Sequence, residues 1–142
     1  MKQRDEQYKP GGFSTGLWAG RILLVIMALF AILHVLVLTG MFPSDMVWGG
    51  LAEGSPNQLM LLETIALFFT LVFLLIVGIR TGFFLRRYRH TALVRIGIWI
   101  VFAYFILNAI GNFLGETDIE KYVFGPLTIL MAVLSLLVAL RK

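Results

Sequence analysis

The sequence predicts an all-α protein, a four-helix transmembrane bundle with its N-terminus and C-terminus cytoplasmic, and three observations carry that expectation. Of 142 residues, 59% are hydrophobic and 14% charged, a balance too apolar for an ordinary soluble domain. Four apolar runs each approach the roughly 20 residues that a helix needs to cross about 30 Å of hydrocarbon. Lysine and arginine gather on one side of those runs. Residues 1–16 read as a cytoplasmic N-terminal tail and residues 17–142 as the transmembrane domain, with spans of about 21–38, 59–79, 93–113 and 122–140.

The first apolar run extends from Leu17 to Met41. It is longer than the apolar core of a secretion signal and has no Ala-x-Ala type cleavage site, so it reads as a retained helix. The second run follows Ser55-Pro56-Asn57-Gln58, which offers an N-cap serine, proline at the first helical position and glutamine three residues on. Gly82 stands where this helix would stop. Thr91 is expected to cap the third helix, and Gly115 to end it. Thr117-Asp118-Ile119-Glu120 forms a second capping box ahead of the fourth.

Orientation follows from charge, because basic residues resist transfer across the membrane during insertion. Of the 12 lysines and arginines, eleven (Lys2, Arg4, Lys9, Arg21, Arg80, Arg86, Arg87, Arg89, Arg95, Arg141 and Lys142) fall on one side, and Lys121 alone on the other. The opposite loops hold Asp45, Glu53, Glu116, Asp118 and Glu120. Both termini and the middle loop are therefore expected in the cytoplasm. The same rule accounts for the Arg86–His90 cluster, whose other reading is a site for anionic lipid headgroups or a partner. Trp18, Trp48 and Tyr122 fall near the expected interfaces, where aromatic side chains anchor helices.

Composition also excludes several functions. The chain has no cysteine, which removes disulfides, thiolate catalysis and cysteine-ligated metals. A net charge of +4 would suggest nucleic acid only on a water-exposed basic domain, and no segment is long enough to make one. No metal and no cofactor are expected: no His-x-x-x-His spacing is present, and haem would need a second axial ligand beside a lone intramembrane histidine.

Polar side chains inside the spans are costly, which makes His34, Glu63, Asn108 and Asn112 the most informative residues. Helix direction places all four in the outer half, His34 and Asn108 about six residues and Glu63 about four from the outer ends, or roughly 6 to 9 Å deep at 1.5 Å per residue. They are expected to form one layer, with a Glu63–His34 hydrogen bond completed by the asparagines. Tyr104, Asn108, Gly111, Asn112 and Gly115 share a stripe whose small residues would admit a neighbouring helix. Thr39, Thr64 and Thr128 lie at similar depth. The inner halves are almost wholly apolar, which argues against a channel or a midplane transporter.

The outer loop from His34 through Pro43-Ser44-Asp45 and Met46-Val47-Trp48 to Gly49-Gly50, together with Glu63 and Asn108-Ala109-Ile110-Gly111-Asn112, resembles a group of small, uncharacterised four-helix bacterial membrane proteins. That resemblance covers everything after the N-terminal tail and implies the bacterial inner membrane. It brings no activity with it. A more remote likeness, of architecture and residue types, is to the EXPERA group, which includes sterol isomerases whose intramembrane acids, histidine and asparagine line a lipid-accessible pocket. No catalytic role is carried over.

Three functions are compatible with these residues. The first is binding of a small amphipathic ligand or a membrane partner through the outer polar layer of His34, Glu63, Tyr104, Asn108 and Asn112, with Trp48 in a loop that would cover it. The second is a small membrane enzyme acting on a lipid or isoprenoid, with His34 and Glu63 relocating a proton. The third is a structural accessory subunit in which the polar groups only satisfy one another. The expected partners are membrane lipids and a membrane protein or a second copy of the chain.

Overall fold

A computed structural model describes residues 15–44, 47 and 55–141. Four helices dominate it: α1 (Thr15–Leu38), α2 (Pro56–Thr81), α3 (Ala92–Leu114) and α4 (Gly125–Ala139), the last extended at its start by a wide π turn over Glu120–Phe124. Each of the four, with that turn counted into α4, is long and apolar enough to cross a membrane. Each packs on its chain neighbours, and α4 closes the ring against α1.

Local chemistry sets most of the helix ends. Ser55 caps α2, its Oγ accepting from Gln58 N at 3.4 Å while Gln58 Oε1 accepts from Ser55 N at 3.0 Å. Thr117 and Glu120 repeat the arrangement ahead of α4. Gly82 ends α2 with φ of 81°, the left-handed conformation that costs glycine nothing. Thr91 departs from expectation. Its hydroxyl donates to Tyr88 O at 2.8 Å, so the preceding turn takes the side chain that would have capped α3. The π turn has a cause as well. Pro126 has no N–H to return to Tyr122, and the wider turn lets Gly125 N reach Glu120 O instead.

The core is a narrow apolar column of Leu23, Met27, Val77, Ile98, Val101 and Val138, all almost completely buried. Outside it, Val25, Leu29, Phe68, Leu93, Leu107 and many other large apolar side chains lie exposed. Exposed apolar surface of this extent marks a face that meets a membrane or other protein. Close approach of helices comes from Gly20, whose missing side chain makes room for Thr81 and Val138, and from Gly97 against Ile76. Gly111 behaves otherwise: a Cβ there would meet nothing within 4 Å. The small residue on the Asn108 stripe opens space and brings no helix closer.

Candidate functional site

The end of the bundle formed by the C-termini of α1 and α3 and the N-termini of α2 and α4 carries the polar residues of the apolar spans. His34, four residues before the end of α1, and Glu63, two turns into α2, meet at 2.6 Å between Nδ1 and Oε1. Both are buried, Glu63 to 1% exposure. Pairing helps two ionisable groups tolerate this position, since each gives the other a hydrogen-bond partner.

The proton count of the pair decides what the rest of the imidazole can do. With one proton, the hydrogen must sit on Nδ1 facing the carboxylate, and Nε2 is an acceptor; with a second proton, Nε2–H is a donor. His34 Nε2 has no hydrogen-bond partner among the described residues. His34 lines the cavity described next, whereas Glu63 does not. The carboxylate thus stands behind the imidazole and orients it.

A cavity of about 340 Å³ occupies this end of the bundle, within the size range of small-molecule sites. Its polar wall belongs to α3. Asn112 Nδ2 donates to Asn108 Oδ1 at 2.8 Å and to Thr128 Oγ1 at 3.4 Å, and Asn108 Nδ2 donates to Tyr104 OH at 3.3 Å. The asparagines therefore do not complete the His34–Glu63 pair as expected. They form a second chain of hydrogen bonds, and His34, Tyr104, Asn108 and Asn112 line the same cavity. The physical reason is spacing: Tyr104, Asn108 and Asn112 are successive i,i+4 neighbours and reach each other first. Of the threonines, Thr128 joins, while Thr39 and Thr64 bond to carbonyls of their own helices.

The remaining walls are aromatic and apolar. Phe30 stacks toward His34 at 6.4 Å and toward Phe124 at 6.2 Å, and Phe73 meets Tyr104 edge-on at 4.9 Å. Sequence reasoning missed Phe30, Thr70, Phe73, Phe124 and Glu120 as lining residues. Helical spacing contains the signal for several of them. Phe30 is one turn before His34, and Ala66, Thr70 and Phe73 continue the Glu63 face of α2. Glu120 and Phe124 reach the cavity from the π turn, which no periodicity announces.

Trp48, with Asp45, Met46, Gly49 and Gly50 of the expected covering loop, lies outside the described residues. Val47 is described, accepts its place through Val47 N donating to Ser44 O at 3.1 Å, and lines the cavity.

Compared with known proteins, the chain matches no family model, no curated protein and no solved structure.

Proposed function

We propose that this chain is a multi-pass protein of the bacterial inner membrane that binds a small amphipathic molecule in the cavity between its helices. The observation that carries the proposal is the shape of the polar layer: it borders a cavity of about 340 Å³, where a purely structural knot would close on itself. Aromatic and apolar side chains suit a hydrocarbon body. His34 Nε2, Tyr104 and the two asparagines suit a polar head that exchanges hydrogen bonds with them. Proton relocation by His34 with Glu63 is disfavoured, because Glu63 lies behind the imidazole and outside the cavity lining, and the carboxylate that does line the cavity, Glu120, is held by Thr117 N and Oγ1 at 3.0 and 2.9 Å.

Membrane insertion with cytoplasmic termini is supported by the four spans and by the eleven-to-one division of the 12 basic residues. The polar cavity then lies in the outer half. A cysteine at Ser44 or Ser55 should react with an impermeant thiol reagent on intact cells, and one at Thr91 should not. The opposite pattern would reverse the orientation.

The binding claim is tested by solvent extraction of the purified protein and mass spectrometry of what is released. Gly111→Phe is the control, because Gly111 lines the cavity and a Cβ there would meet nothing within 4 Å. A compound released by the wild-type protein and absent from folded Gly111→Phe is expected. Identical extracts from the two proteins would remove the cavity from the account.

A further inference from the structure

At the opposite end of the bundle, positive charge collects with no ion pair to an acid among the described residues. Arg80, on the last turn of α2, is 7% exposed. Its Nη1 donates to Arg89 O at 3.3 Å, and its Nη2 to Ala139 O at 3.5 Å and to Arg141 O. These bonds tie the end of α2 to the middle loop and to the end of α4. They leave Arg80 Nε shielded from solvent and without a partner, and Arg141 Nη1 is in the same condition.

The two unsatisfied donors belong to residues that line one small cavity with Arg89 and His90. Its volume, about 20 Å³, admits one oxygen-sized group. His90 adds no charge to it. Desolvation, with Arg89, Arg80 and Arg141 nearby, holds its pKa below the ordinary histidine value, and its Nε2 accepts from Arg89 Nε at 2.7 Å. Gly16 lets the Arg141 side chain lie across the start of α1, where a Cβ would stand 3.1 Å from Arg141 Cβ. Among the described residues the only ion pair is His34–Glu63, at the other end of the molecule.

Buried N–H groups on charged side chains are costly to leave unmade, and three guanidinium groups repel one another unless an anion sits among them. Guanidinium forks match the oxygens of phosphate in geometry and in charge. We propose that Arg80, Arg89 and Arg141 form a binding site for one phosphate group, one oxygen of which enters the cavity and accepts from Arg80 Nε and Arg141 Nη1. An anionic lipid headgroup and a free phosphate ion present the same chemistry. The lipid source rests on the membrane orientation proposed above, and the anion site itself does not.

Two arms distinguish the sources. In the first, the full chain in uncharged detergent is titrated with inorganic phosphate at constant ionic strength and its Tm followed. In the second, the chain is placed in phosphatidylcholine discs with and without phosphatidylglycerol, in phosphate-free buffer. A rise in Tm is expected in at least one arm, with the apparent affinity reduced about tenfold by Arg141→Gln, which removes a charge-assisted donor. Arg87→Gln should leave it intact, since Arg87 stacks on Tyr88 at 4.5 Å outside the cavity. A rise with inorganic phosphate identifies a free-anion site, and a rise with phosphatidylglycerol alone identifies a headgroup site. Absence of a rise in both arms, or equal weakening by Arg87→Gln and Arg141→Gln, overturns the proposal.

Discussion

At one end of the bundle the ionisable groups meet each other; at the other they meet the backbone. Glu63 finds His34 at 2.6 Å and the pair is internally matched. Arg80 finds the carbonyls of Arg89, Ala139 and Arg141, which satisfy part of its guanidinium but none of its charge. The difference has consequences for what each end can do. A matched pair holds α1 on α2 and leaves one imidazole nitrogen at the cavity, for the ligand proposed there. A cationic cluster with unpartnered donors fixes the ends of α2 and α4, and the proposed phosphate would answer it.

Breaking the matched pair should have the largest effect. Glu63→Ala leaves His34 Nδ1 buried without a carboxylate and opens a void, and stability in detergent should fall by about 3 kcal/mol. Glu63→Gln keeps the shape and the hydrogen-bonding capacity while removing the desolvated charge, so its stability should stay within about 1 kcal/mol of wild type or rise. Denaturant unfolding of the two variants side by side measures the contrast. Equal, small losses for both would show that the pair does not hold the helices.

A smaller effect sharpens the comparison within the cavity end. Asn112→Ala removes one bond between α3 and α4, the 3.4 Å contact with Thr128, and one within α3. Interhelical hydrogen bonds in membrane proteins contribute about 0.6 kcal/mol on average, so the same unfolding measurement should register less than about 1 kcal/mol. A loss as large as that of Glu63→Ala would move the structural role from the pair to the asparagines.

Much of this was legible in the sequence, for definite reasons. Apolar runs and capping residues mark helices because they act locally, and Ser55, Gln58, Gly82, Thr117 and Glu120 stand where the sequence placed them. The His34–Glu63 contact was legible because two ionisable groups at matching depth have nowhere else to go. What stayed hidden depends on competition or on space. Thr91 had a carbonyl of the preceding turn within reach, and the asparagines had each other. Gly111 reads identically whether a helix or a void stands opposite, and only the packed bundle distinguishes the two. The buried Arg80 looked like one more residue of a topology signal, since sequence carries no sign of which arginine turns inward.

The central claim is that Glu63 holds one nitrogen of His34 while a bound molecule meets the other. The chain has two histidines, so His90→Gln leaves a single imidazole for nitrogen NMR. Spectra of the ¹⁵N-histidine-labelled protein are compared after exhaustive delipidation and after return of the total lipid extract of its native membrane. The account predicts that the Nε2 resonance moves on loading and that Nδ1 keeps its hydrogen bond to Glu63. It also predicts no movement in the Gly111→Phe background. An Nε2 resonance that is the same in the delipidated and the loaded protein, or one that moves equally with Gly111→Phe present, would contradict it.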